Sequence, residues 1–208
     1  MSKNVLITIF VVAVLIFTIF MKESREELSD NFLNNDSTIL AFGDSLTYGF
    51  GASQNSSYPV YLQNKTGFNV INAGVNGELS SEGLERLPSY LQLKPKLVIL
   101  CHGGNDILQN LSKEQLKKNL LKMIKMIKKS GANVLLVAVP DFNLFNFKTL
   151  SIYEDIADET NVMFEHEVLT YIELHRSLKS DYVHPNSKGY EMMADSFIEI
   201  LKTNRILH

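Results

Sequence analysis

The chain has 208 residues, 45% of them hydrophobic and 21% charged, which suits one full-sized domain and leaves little room for a second. A formal net charge of -3 gives no electrostatic footprint for nucleic acid, and a single cysteine, Cys101, excludes an internal disulfide framework. Cys101 lies in an apolar run and reads as a buried structural thiol.

In chain order, the first element is an uncharged apolar segment from Val5 to Met21. No small-residue cleavage pattern follows it, so residues 1–21 read as an uncleaved membrane anchor; cleavage would make the protein secreted instead. Lys3 precedes the segment, whereas Glu23, Glu26 and Glu27 outnumber Lys22 and Arg25 after it, which places the rest of the chain outside the cytoplasm. Residues 22–37, rich in Glu, Asn, Asp and Ser, read as a polar linker, and residues 38–208 as the globular domain. Strands are predicted at Thr38–Phe42, Phe68–Asn72, Leu97–Cys101, Asn133–Val139 and Asn161–Phe164. Helices are predicted near Tyr58–Lys65, Ser80–Leu91, Lys113–Ser130, Leu150–Thr160 and from about Asn186 to Thr203. In the third helix Leu116, Leu120, Met123, Ile124 and Ile127 form one apolar stripe; Ser112 with Gln115 resembles a capping box, and Gly131 reads as a stop. Continuous apolar strands alternating with amphipathic helices indicate an α/β domain whose parallel sheet is covered on both faces.

In such sheets sites form at the carboxyl ends of the strands. Polar turns stand there: Gly43-Asp44-Ser45, the stretch Asn72 to Gly77, His102-Gly103-Gly104-Asn105-Asp106 and, ahead of the last helix, Asp181-Tyr182-Val183-His184-Pro185. Ser45, on a turn leading into a helix, has an exposed hydroxyl beside N–H groups that favour developing negative charge, although Asp44-Ser45 also reads as a plain helix cap. A nucleophilic serine needs a base, and among five histidines His184 is the best candidate, because Asp181 can hold its second ring nitrogen. Pro185 restricts His184 to an extended backbone and is expected to open the next helix. Donors for an acyl oxyanion are available in the Ser45 N–H, the Gly77 N–H and the Asn105 side-chain amide, and a glycine at 77 lets substrate approach the main chain. Asp44 suits hydrogen bonding that holds the turn, and His102 reads as a strand-end residue near the site, since Cys101 and His102 alone do not make a zinc site. His166, His175 and His208 read as surface residues, while Tyr48 and Phe50 either line a pocket or pack.

Gly43-Asp44-Ser45-Leu46, Gly77, Gly103-Gly104-Asn105-Asp106 and Asp181-x-x-His184-Pro185 resemble, in order, the conserved blocks of the SGNH (GDSL) hydrolase superfamily, over about residue 38 to the C-terminus. The stretch from Val70 to Ser80, with Gly83-Leu84-Glu85-Arg86-Leu87-Pro88 following, looks like its thioesterase I / lysophospholipase / arylesterase branch. The resemblance implies a three-layer α/β/α sandwich, flavodoxin-like, with a five-stranded parallel sheet. It also implies ester or thioester hydrolysis through an acyl-enzyme without metal or cofactor. Ser45 would be the nucleophile, His184 the base and Asp181 its orienter, with Gly77 and Asn105 completing the oxyanion hole beside the Ser45 N–H. The apparent tether departs from that branch, whose members are often soluble behind a cleaved signal. The segment from Asp141 to Phe147 carries Phe142, Leu144, Phe145 and Phe147 and suits an acyl chain or a lipid surface.

The expected protein is thus a membrane-anchored serine esterase acting outside the cytoplasm on acyl esters, with lysophospholipid or a related lipid ester preferred. Deacetylation of a cell-envelope polysaccharide is the alternative and favours a shallow polar pocket. A metallophosphoesterase-like site built from Asp44, Asn105, Asp106 and His184 lacks the further His and Asp ligands that two metals require. A tethered binding module without turnover leaves the complete set of four motifs unexplained.

Overall fold

Five apolar runs form strands β1 (Thr38–Gly43), β2 (Asn69–Gly74), β3 (Leu97–Cys101), β4 (Asn133–Val137) and β5 (Met163–Glu165), which pair in parallel in the order β2-β1-β3-β4-β5. The computed structural model describes residues 33, 34, 36–141 and 149–207; the expected anchor helix and the Phe-rich residues 142–147 lie outside the described residues. Every residue of β3 is buried, as are all but the first of β1 and β4, which is why these runs are apolar without alternation. The edge strands β2 and β5 are more exposed and more polar.

The helices are α1 (Ser45–Tyr48), α2 (Tyr58–Thr66), α3 (Ser80–Leu91), α4 (Gly104–Leu108), α5 (Lys113–Lys129), α6 (Ser151–Thr160), α7 (Val168–Leu174) and α8 (Ser187–Thr203). From β1 the chain steps through α2 to β2, then reverses across β1 through α3 to β3 and continues outward through β4 to β5. Parallel crossovers are right-handed, so the reversal puts α2 on one face of the sheet and α3, α5 and α6 on the other. Helix α8 packs on α2, where the Tyr58 and Phe197 rings meet edge to face at 5.1 Å. The stripe of α5, from Leu116 to Ile127, is buried against the sheet side, each such apolar side chain contributing about 1.5–3 kcal/mol.

Several boundaries differ from the sequence reading. Asn161 does not open β5: it takes a left-handed conformation at φ 48° and ends α6, and the strand starts at Met163. Strand β4 stops at Val137, and β2 extends to Gly74. The capping box on α5 is half made, because Ser112 accepts from the Gln115 N–H at 3.3 Å while the Gln115 amide turns to Asn119. Helix α8 is opened by Asn186, whose side chain accepts from the N–H groups of Lys188 and Gly189, rather than by Pro185, which instead bridges to Lys179. The short helices α4 and α7 carry no sequence signal long enough for a period.

Within the stretch read as linker, Leu33 is buried and its N–H donates to the Ile206 carbonyl at 3.0 Å, and an Asn34–Ser37 turn then leads into β1. Among the described residues no helix is long and apolar enough to cross a membrane.

Candidate active site

The strand order reverses between β1 and β3, and the loops leaving these two neighbours diverge to opposite faces, opening a crevice at their carboxyl ends. Ser45 and Asn105 stand just beyond those two ends. Asp44 caps α1, accepting from the Leu46 N–H at 3.1 Å through Oδ1, as the turn-holding reading requires. Its other oxygen, Oδ2, is buried beside Gly104 and makes no well-formed hydrogen bond among the described residues. Burial pushes the Asp44 carboxyl above the usual range, against the pull of His102, the Leu46 and Gly104 amides and His184.

The loop before α8 brings His184 to Ser45. Ser45 Oγ and His184 Nε2 are 3.0 Å apart, and His184 Nδ1 lies 2.8 Å from Asp181 Oδ2 and 3.1 Å from Oδ1. A carboxylate only accepts, so Nδ1 carries the hydrogen and Nε2 presents its lone pair to the serine hydroxyl. Asp181 Oδ1 also accepts from the N–H groups of Val183 (2.9 Å) and His184 (2.8 Å), which fixes the loop between acid and imidazole. Partial burial raises the Asp181 carboxyl, but the Val183 amide and the His184 ring and amide outweigh it and hold the group below the usual carboxylate range. Behind this loop a buried Lys179–Glu173 ion pair anchors it to α7, and the Ser180 N–H donates to the His184 carbonyl at 2.9 Å.

The crevice is lined by Asp44, Ser45, Leu46, Gly104, Asn105, Leu108, Val183 and His184, so it brings the Ser45, His184 and Asn105 motifs together. Gly77 is not in that lining. It belongs to the turn over residues 75–78 at φ 77°, and a side chain there would meet nothing within 4 Å; left-handed backbone, rather than crowding by neighbouring groups, is what calls for glycine. The turn is tied to the crevice because the Glu78 carbonyl accepts one N–H of the Asn105 amide at 3.0 Å, leaving the second N–H of that amide to donate elsewhere. No acceptor among the described residues takes the N–H of Ser45 or of Gly77.

Asp106, one of the four residues considered for metal binding, is committed elsewhere: its carboxylate accepts from the Ser80 N–H (2.9 Å) and Oγ (2.6 Å). Phe50 does not simply pack, since its half-exposed ring lies 4.6 Å from the His184 ring, while Tyr48 is exposed. Cys101 and His102 are both fully buried, and burial pushes the Cys101 thiol up. His166 and His175 are exposed, and His208 lies outside the described residues. Sequence reasoning did not find Glu78 as the shared partner of Arg86 and His102; the one available signal was a charged pair spaced eight residues apart across the start of a helix.

Comparison with known proteins follows the same residues. Residues 41–192 match the model of the GDSL-like Lipase/Acylhydrolase family. The thioesterase 1/protease 1/lysophospholipase L1 of Escherichia coli strain K12 is 31% identical over 169 residues, covering 76% of this chain and 80% of that protein. The arylesterase of Vibrio mimicus is 30% identical over 171 residues, covering 76% of this chain and 84% of that protein. Among solved structures, the psychrotrophic esterase EstA from Pseudoalteromonas sp., inhibited by monoethylphosphonate, superposes with a TM-score of 0.71 at 27% identity, over 81% of this chain and 98% of that one.

Proposed function

The chain belongs to the GDSL-like lipase/acylhydrolase family and is an esterase, and from that premise we propose that it hydrolyses acyl esters through a Ser45–His184–Asp181 triad. The observation that carries the reading is the unbroken relay of contacts from Ser45 Oγ to His184 Nε2 at 3.0 Å and from His184 Nδ1 to Asp181 Oδ2 at 2.8 Å. Ser45 Oγ attacks the acyl carbonyl while His184 Nε2 takes its proton, and Asp181 stabilises the resulting imidazolium. The oxyanion is received by the N–H groups of Ser45 and Gly77 and by the free N–H of the Asn105 amide. As the tetrahedral intermediate collapses, His184 protonates the departing alkoxide and an acyl-Ser45 ester remains. Water, deprotonated by His184, attacks that ester, and Ser45 recovers its proton as the acid leaves.

Lipid esters such as lysophospholipid are the preferred substrates. The support is the apolar character of the mouth, where Leu108 and Val183 line the crevice and Leu108, Phe50 and Tyr182 are exposed. The uncharged segment from Val5 to Met21 supports attachment to a membrane with the catalytic domain outside the cytoplasm.

The test compares the full chain with Ser45→Ala on p-nitrophenyl esters of graded length and on lysophospholipid. Turnover is expected to fall at least about a thousandfold in S45A, with the fold retained, and an alkylphosphonate is expected to add one equivalent to the wild type and none to S45A. Turnover preserved in S45A ends the triad reading. Wild-type activity confined to acetyl esters replaces lipid ester with polysaccharide deacetylation.

A further inference from the structure

Beneath the crevice lies a charged cluster that the chemistry above leaves unused. Glu78 and His102 are buried, at 6% and 0% exposure. Glu78 Oε2 accepts from Arg86 Nη2 at 2.7 Å and from His102 Nε2 at 3.0 Å, while Arg86 Nε donates to Oε1. The guanidinium does more than pair with the acid. Its Nη2 donates to the carbonyls of Gly43 (3.1 Å) and Ala73 (2.8 Å) at the ends of β1 and β2, and its Cζ stands 4.1 Å over the Phe42 ring. One group therefore clamps two strand ends and the turn that follows the second.

The surroundings are cut to fit this cluster. Glycine is unfavourable inside a helix, yet Gly83 stands within α3, where a Cβ would lie 2.3 Å from His102 Nε2 and 3.3 Å from Glu78 Oε2. Among the described residues His102 Nδ1 is buried without a partner, as is Arg86 Nη1. An apolar core would fill this volume without such unmet groups, and buried ion pairs are weak devices for stability alone. The ties to the crevice indicate what they do instead. Glu78 directly follows Gly77, and the Glu78 carbonyl accepts from the Asn105 amide at 3.0 Å.

We propose that Glu78, Arg86 and His102 are positioning residues for the oxyanion donors, clamping the 75–78 turn against the ends of β1 and β2 so that the Gly77 N–H and the Asn105 amide face Ser45. The inference rests on the reading of Ser45, Gly77 and Asn105 given above. It differs from a plain structural role in its signature: displaced donors weaken transition-state binding and leave ground-state binding intact, so kcat falls and KM does not.

The experiment measures kcat and KM on p-nitrophenyl butyrate for the full chain carrying E78Q, R86K or G83A, each alone and combined with N105A. Lysine keeps the charge of Arg86 without the fork that reaches both carboxylate and carbonyls, and G83A leaves all three polar groups in place while crowding them. Each single variant is expected to lose about 10- to 100-fold in kcat with KM within about twofold, because displacement of a donor by about an ångström suffices for that. In the N105A background the same substitutions are expected to cost several-fold less, since one of the donors they position is already absent. Folded variants with kcat within twofold of wild type overturn the proposal, as do losses that multiply fully with that of N105A. Should E78Q not fold, R86K and G83A carry both measurements. S45A in the same assay separates the two levels: residual turnover there defeats the triad reading, whereas an inactive S45A beside normal E78Q, R86K and G83A defeats only the positioning role.

Discussion

In the proposed mechanism the Ser45 proton passes to His184, and the two groups behind it differ in exposure: the His184 ring lies 4.6 Å from the Phe50 ring and is partly buried, whereas Asp181 is exposed. The depressed Asp181 carboxyl carries a sign that can be checked. A carboxylate held below its ordinary value of about 3.9 contributes stability that is fully present above that value and lost as pH falls through the folded-state value. The melting-temperature gap between wild type and D181N is therefore expected to stay level from neutral pH down to about 4 and to close below it. A gap that persists unchanged to pH 3 contradicts the carboxylate's role in holding the loop. For Asn105→Ala the expected loss is about 100- to 1000-fold in kcat with little change in KM, read by steady-state kinetics; unaltered kcat removes Asn105 from the oxyanion site. At this scale Ser45, Gly77 and Asn105 were legible because each stands on a polar turn soon after an apolar run, and Asp181 and His184 because an acid three residues before a histidine stands ahead of the last helix. The 3.0 Å approach of Ser45 and His184, 139 apart in sequence, is made by the loop before α8, which returns to the carboxyl end of β1. Arg86 was illegible in the same terms, since an arginine on an amphipathic helix reads as a solvated charge until the strand carbonyls it reaches are known.

Among elements, the crevice owes its position to connection order more than to any single side chain. Because the chain reverses direction at β1, the segments leaving β1 and β3 part to opposite faces, and the turn after β2 backs the Asn105 wall through the Glu78 carbonyl. Helix α5 buttresses that wall: the buried Asn119 amide donates to Ser80 Oγ at 2.9 Å, and Ser80 in turn binds Asp106 at the start of α4. Leu120, in the apolar stripe beside Asn119, is fully buried in the core. Leu120→Ala is expected to destabilise by about 2–5 kcal/mol in denaturant titration while leaving kcat at temperatures below the transition near wild type. A kcat loss without destabilisation would tie the stripe to the site instead. Strand and helix identities were legible from period and length, most securely in α5. Helices α4 and α7 were not, because five and seven residues span too few turns to show a period and are held by tertiary contact, such as the Ser80–Asp106 hydrogen bonds at α4.

At the scale of the domain, Leu33 and Ile206 are joined by a hydrogen bond of 3.0 Å, and the segment from Leu33 leads into the amino end of β1. Ser45 and Asn105 are at the other pole, a strand of six residues away, or about 20 Å. Leu33 therefore stands at the floor of the domain. A fusion partner joined directly at Leu33 is expected to leave the doorway to bulky esters unshaded, whereas a cargo inserted between β3 and α5 would stand in it.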